Sequence, residues 1–262
     1  MFEFKEKYNI DDLLKVMTVL RSENGCVWDR EQDHKSIRKD VLEEAYEVAE
    51  AIDSENSDLL KEELGDLLLQ VVFHTEIERE KDNFSFDDVC DGICKKMIYR
   101  HPHVFGEVKV NTSDDVLKNW DKLKSESKGE EKASDRLMSV PKLLPALMRG
   151  EKVGKRASNA GLDFACTEDV IACLKSEISE LETAIESKND AEIEEELGDV
   201  LFSCCNLARF LKKDSEKALT FAINKFIMRF REVETLAEKQ GGVLEEMSAE
   251  ALDELWKQAK NS

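Results

Sequence analysis

Proline and glycine are scarce in this sequence, three and eleven in 262 residues. A sandwich or barrel needs turn residues at every strand end, so this composition suits long helices instead. No apolar run approaches the roughly 18 residues that a membrane span requires. The first ten residues, MFEFKEKYNI, lack the apolar stretch of a secretory leader. Positive charge is in deficit, with 38 Lys and Arg against 58 Asp and Glu and a formal charge of −20. Tight binding to a nucleic-acid polymer needs clustered cations, so that class of partner is not expected. A small phosphate ligand carried on a divalent cation stays compatible, because the cation reverses the local charge logic. The seven cysteines are odd in number and contain no CxxC pair. They read as free or buried thiols of a cytoplasmic protein, not as a disulfide frame.

What is abundant is helical periodicity. The apolar spacing predicts helices over 9–22, 35–54, 57–82, 85–100, 113–127, 141–158, 168–187, 190–213, 215–239 and 248–260. Asn189 with Glu192 three residues on predicts a capping box, and Pro141 and Pro145 mark a helix start. The stretch Lys124–Ser139 is polar and nearly free of large apolar side chains, so it reads as a linker. The expected organisation is a helical domain over 1–123, a linker over 124–140 and a second helical domain over 141–262.

The two domains carry one pattern. EAYEVAEAIDS (44–54) aligns with EISELETAIES (177–187), and EELGD (62–66) with EELGD (195–199), both at an offset of 133. Lys96-x3-Arg100 matches Lys225-x3-Arg229, and NWDKLK (119–124) matches LWKQAK (255–260), which pairs Trp120 with Trp256. Four landmarks in the same order twice define an internal duplication.

Glu44 and Glu47 share one helix face, as do Glu63 and Asp66; the second copy supplies Glu177, Glu180, Glu196 and Asp199. Acids opposite an apolar stripe are ordinarily solvated surface. Two features argue for more. Neither Glu44 nor Glu47 has a Lys or Arg four residues on. The partner helix, LGDLLLQVVF (64–73), is apolar in nearly every direction except along Glu63, Asp66 and Gln70. LGDVLFSCCNL (197–207) repeats this with Glu196, Asp199 and Ser203. Such helices are expected to be buried, with the acids lining an interior cleft. Clustered carboxylates there repel one another, and a hard divalent cation relieves both the burial and the repulsion. A donor set of oxygens alone points to Mg²⁺, with Mn²⁺ as a substitute, rather than to zinc.

Mg²⁺ is commonly shared between carboxylates and substrate phosphate, so the expected substrate is a phosphorylated small molecule. Lys225 and Arg229, four apart, could meet phosphate oxygens or form an exposed basic pair. Trp256 and Trp120 could stack on a base or pack into a core. A di-iron carboxylate bundle needs two Glu-x-x-His motifs; only Glu31-Gln-Asp-His34 fits, and His101 and His103 flank a proline as turn residues.

LEEAYE followed by EELGD resembles the EExxE…ExxD signature of the MazG family, in the all-α NTP pyrophosphatase superfamily. GCVWDREQDHKS (25–36), KMIYRHPHVFG (96–106), PALMRGEKVGKRASNAG (145–161) and FREVE (230–234) extend the resemblance over essentially the whole chain. It implies an all-α fold of two tandem MazG-type helical units, with four-helix bundles completed by homodimerisation. It also implies Mg²⁺-dependent hydrolysis of nucleoside triphosphates, dNTPs included, to the monophosphate and pyrophosphate. By this resemblance Glu177, Glu180, Glu196 and Asp199 are metal ligands of the catalytic centre, and Lys225, Arg229 and Trp256 contact substrate. Their first-domain counterparts are Glu44, Glu47, Glu63 and Asp66, with Lys96, Arg100 and Trp120 following by the internal alignment. The chain departs from the family pattern at Val27, where proline is usual. It departs again at Ser176, where the leading Glu of EExxE is expected and where the first copy has Glu43. The alternative reading is a non-catalytic helical nucleotide-binding or scaffold protein.

Overall fold

A computed structural model describes residues 3–127, 129 and 132–261. Among the described residues every regular element is helical. The chain divides into two compact units, one ending at Lys124 and the other beginning at Ser125. The first runs through α1 (Ile10–Arg21), α2 (Val27–Glu31), α3 (Arg38–Asp53), α4 (Ser57–Arg79), α5 (Phe86–Arg100), α6 (Pro102–Phe105) and α7 (Ser113–Ser127). The second holds α8 (Ala133–Met138), α9 (Ala146–Asn159), α10 (Thr167–Ser187), α11 (Asp190–Phe210), α12 (Ser215–Lys239), a 310 turn (Leu244–Glu246) and α13 (Ala249–Asn261).

In the first unit, α1 begins with a reciprocal cap. Asn9 Oδ1 accepts from the Asp12 N–H and Asp12 Oδ2 from the Asn9 N–H, both at 3.1 Å. The apolar stripe of α1 then meets the C-terminal half of α4. Met17, Ile37, Val72, Phe73 and Ile77 form the core there, bordered by Leu13, Leu14, Leu69 and Phe86. In the second unit α9 packs across α11. A Cβ on Gly154 would stand 2.5 Å from Asn206 Oδ1, so the glycine sets how closely the two helices approach. Arg209 of α11 grips Asp163 with two bonds of 2.6 and 3.1 Å, and this pairing holds the Asp163 carboxyl far below the usual carboxylate range.

The duplication is visible in the backbone. The α3–α4 and α10–α11 hairpins turn through Ser54-Glu55-Asn56 and Ser187-Lys188-Asn189. Glu55 (φ 55°) and Lys188 (φ 57°) both take the left-handed conformation. Each turn serine donates to a carbonyl three residues back, Ala51 at 2.9 Å and Ala184 at 2.8 Å. Each asparagine caps the following helix through its side-chain oxygen. Asn189 therefore caps α11 as expected, but Glu192 does not close a capping box: its carboxylate takes the Ser187 hydroxyl at 3.3 Å.

Two expectations change. The polar linker is partly helical. α7 ends at Ser127, where its spacing predicts, but the six-residue α8 over 133–138 falls in the stretch read as linker; residues 128, 130 and 131 lie outside the described residues. Arg156 of α9 fixes this segment by donating to the Arg136 carbonyl and, at 2.7 Å, to Ser139 Oγ. The helix expected from 141 starts only at Ala146, with Pro145 at its cap, because a residue that precedes proline avoids the helical region.

The expected burial of the α4 and α11 acid-bearing segments also fails within one chain. Leu64, Leu68 and Val71 on α4, and Leu197, Leu201 and Phe202 on α11, are exposed. Among the described residues the hairpin partner covers one side of each helix, α1 packs on the far end of α4, and α9, which crosses α11, still leaves these side chains exposed.

Candidate functional site

Each hairpin brings three carboxylates together. In the first, one oxygen each from Glu44, Glu63 and Asp66 lie within 4.8 Å of one another; in the second, Glu177, Glu196 and Asp199 do the same. The hairpin turn explains the meeting, since it folds α4 back along α3, and α11 along α10, in the same register. Both glutamates of each triad are half-buried and the aspartate is exposed. Opposed ligands of an octahedral Mg²⁺ stand about 4 Å apart, so the spread of these oxygens is close to what such an ion gathers. Glu47 and Glu180 are exposed and lie outside the triads, but both act on them electrostatically.

The charge balance is one-sided. Burial, then Asp66, Glu47 and Glu63, push the Glu44 carboxyl up, against a partly offsetting hydrogen bond from Gln70. Glu63 is raised by burial and then by Glu47, Asp66, Glu62 and Glu50. Glu196 is raised by burial and then by Glu180, Asp199, Glu195 and Glu177. Every charged neighbour named for these groups is another carboxylate, which is the environment a hard divalent cation would relieve. The all-oxygen donors fit that class of ion.

The supports of the two triads differ. Ser176, which stands where the family pattern has glutamate, donates to Glu180 Oε1 at 2.9 Å and holds that carboxylate in place. Cys173 donates to Glu177 Oε1 at 3.6 Å and sits 3.8 Å from Ser203 Oγ. The i,i+4 spacing of Cys173 and Glu177 is the one sequence signal of this contact.

The basic and aromatic candidates also separate the halves. In the first, Arg100 is buried and its guanidinium lies 5.4 Å from the Trp120 ring centre, with His101 edge-on at 4.9 Å. Lys96 stays exposed on α5. In the second, Lys225 and Arg229 on α12 make no ion pair among the described residues. Trp256 stands 5.1 Å from Phe226. The two rings help line a cavity of about 570 Å³ between α12 and α13, walled by Phe230, Val233, Leu244 and Leu252 and rimmed by Glu234, Glu245 and Asp253. Trp120 and Trp256 are both half-buried; the first meets a guanidinium and an imidazole, and the second packs on its own core and borders an open apolar cavity.

A tandem pair of helical hairpins, each presenting a carboxylate triad, defines an all-α protein with two acid-lined sites suited to a divalent cation. The comparisons with known proteins make that class specific. The chain matches the MazG nucleotide pyrophosphohydrolase domain twice, over residues 32–105 and 166–234, and it belongs to the MazG family. It is 45% identical over 250 residues to the nucleoside triphosphate pyrophosphohydrolase/pyrophosphatase MazG of Thermotoga maritima, covering 95% of each chain. It is 42% identical to the nucleoside triphosphate pyrophosphohydrolase of Escherichia coli K12, covering 96% of this chain and 97% of that one. The uncharacterized protein YabN of Bacillus subtilis is also 42% identical; the match takes in 94% of this chain and 50% of that longer one. The two domain matches each contain one triad, so the resemblance read from the motifs holds in both copies.

Proposed function

We propose that this protein hydrolyses nucleoside triphosphates, dNTPs among them, to the monophosphate and pyrophosphate, with Mg²⁺ as the working cation and Mn²⁺ able to replace it. Its place is the cytoplasm, in nucleotide-pool housekeeping or stress regulation. The observation that carries the reading is the carboxylate triad set at the same register in both hairpins, in a chain whose full-length relatives bear that activity in their names. A divalent cation bound there would neutralise triphosphate charge and polarise a phosphoryl oxygen.

The chain's own groups have distinct tasks in this reading. Glu177, Glu196 and Asp199 hold the cation in the second half, with Glu180 kept beside them by Ser176. Glu44, Glu63 and Asp66, with Glu47 nearby, offer the equivalent set in the first. A carboxylate of this set orients and deprotonates the attacking water. In-line attack at the α-phosphorus then breaks the bond to the bridging oxygen. Lys225 and Arg229 face the charge that develops on the departing pyrophosphate. Trp256, at the edge of the cavity, offers a ring face to the base. Because Lys225, Arg229 and Trp256 accompany the acids there and match the family pattern position by position, the second half is the one we assign to turnover.

The exposed apolar strips on α3–α4 and α10–α11 support a homodimer, in which equivalent hairpins from two chains pair into four-helix bundles. Incubation with a panel of NTPs and dNTPs and Mg²⁺, with the products identified, tests the activity. Pyrophosphate and monophosphate are expected and EDTA abolishes their formation. Diphosphate and orthophosphate as primary products would overturn the reading, and no product at all would favour the scaffold alternative.

A further inference from the structure

Away from the triads, the first unit contains a hydrogen-bonded chain of three side chains. His34 Nε2 is 2.6 Å from Glu78 Oε1, and His34 Nδ1 is 2.7 Å from His74 Nδ1. The ring centroids are 5.0 Å apart and the planes 15° from parallel. That separation is the N···N distance plus the two ring radii, so the rings lie edge to edge in nearly one plane, with one N–H aimed into the other nitrogen's lone pair. Glu78 also accepts from Lys81 at 2.9 Å and from Asn83 at 2.7 Å, and these bonds with His34 hold its carboxyl at about 2. A permanent carboxylate therefore anchors one end.

The chain joins two segments. His34 belongs to the turn that leads into α3, where Asp33 Oδ1 accepts from the Lys35 and Ser36 N–H groups, both at 2.8 Å; His74 and Glu78 belong to α4. At the 133-residue offset the second unit has Thr167, Leu207 and Leu211 in their places. There α10 already begins at Thr167, whereas α3 begins only at Arg38. In the first unit, side-chain bonds do what the opening turn of the helix does in the second.

We propose that His74, His34 and Glu78 form a proton-counting latch that fixes the start of α3 on α4 and releases it in mild acid. With both rings neutral, His34 Nε2–H donates to Glu78 and His74 Nδ1–H donates to His34 Nδ1. The pair can hold one added proton, provided one Nδ1 keeps its lone pair toward the other ring's N–H. A further proton does not fit, because two N–H groups would then face each other across 2.7 Å. Burial and then His34 lower the proton affinity of His74, and no charged group of α1 or α5 is among the causes. The charges facing the pair are Glu78 and Lys81 at the end of α4 and Asp33 and Lys35 in the turn. Since α3 carries Glu44 and α4 carries Glu63 and Asp66, His34 and His74 are positioning residues for the first triad only.

Hydrogen exchange on the full chain, corrected for intrinsic rates, tests this without reference to metal or substrate. Opening takes up one proton below the ordinary histidine value of 6.5. Protection of residues 38–44 should therefore fall by up to about tenfold per pH unit below that value, while protection at the start of α10 stays level. His74→Asn, whose amide donates to His34 but does not titrate, should abolish the fall. In the wild type, imidazole nitrogen NMR should show a single proton bridging the two Nδ1 atoms, which keeps the test open if the variant does not fold. Equal pH dependence at α3 and α10, an undiminished fall in His74→Asn, or two rings titrating independently would overturn the proposal.

Discussion

Arg100 lies with its guanidinium carbon 5.4 Å from the centre of the Trp120 ring and is itself buried, so cation and aromatic face cover each other. The matching pair in the second unit is disengaged: Arg229 makes no ion pair among the described residues and Trp256 meets Phe226 instead. One duplicated pattern thus makes a cation–aromatic contact in one copy and an aromatic pair beside a cavity in the other.

Trp120→Ala is expected to destabilise the first unit by on the order of 2–3 kcal/mol, through lost burial and the lost cation–π contact, with KM unchanged. Trp256→Phe keeps an aromatic ring in the α12–α13 core but shortens the stacking surface, so KM should rise severalfold while kcat changes little. Steady-state kinetics beside thermal melts separate the two; a KM effect confined to Trp120→Ala would reverse the assignment.

Asp66→Asn and Asp199→Asn remove one triad charge each at equivalent positions while keeping size. Asp199→Asn should lower kcat by orders of magnitude and Asp66→Asn should leave it largely intact, measured as pyrophosphate release at saturating Mg²⁺. The opposite pattern would place turnover in the first half, and full activity in the double variant would remove both triads from the reaction. Circular dichroism verifies that each variant is folded.

Metal and pH should act on stability in opposite senses. Glu44, Glu63 and Glu196 are raised from the ordinary 4.5, so the metal-free folded chain binds more protons than the unfolded chain above that value. Its stability therefore falls as pH rises from about 4.5 through the raised values. Added Mg²⁺ or Mn²⁺ should raise Tm at pH 8 and do so much less near pH 5, where protons compete for the same oxygens. Glu196→Gln should raise the metal-free Tm and shrink the metal-induced rise. A metal response that does not depend on pH would contradict this account.

Light scattering at micromolar concentration should give about twice the 29.9 kDa chain mass. Leu201→Glu or Leu68→Glu, which place charge on the exposed apolar strips, should reduce the mass to that of one chain. A wild-type monomer would leave those strips without an explanation.

The helices were legible because their apolar spacing is regular and few glycines or prolines interrupt it. The triads were legible in part, because i,i+3 acids and the 133-residue repeat place them on facing helices. What sequence could not give is which acids converge. Glu47 and Glu180 share the right faces and still lie outside the triads, since side-chain reach across a hairpin depends on rotation about the helix axis. Helix α8 was read as linker because six residues are too few to show a period, and its position depends on Arg156, twenty residues beyond Arg136. The Glu78–His34–His74 chain joins residues some forty positions apart, which no local pattern announces.

The hairpin turns set a constraint of another kind. Glu55 and Lys188 adopt left-handed backbone without being glycine, held between a serine and a capping asparagine in both copies. One residue inserted in either turn would rotate the following helix by about 100° relative to its partner. Glu63 and Asp66, or Glu196 and Asp199, would then face away from the glutamate they now meet. At these two turns a single-residue insertion or deletion would dismantle a triad while every carboxylate survived in the sequence.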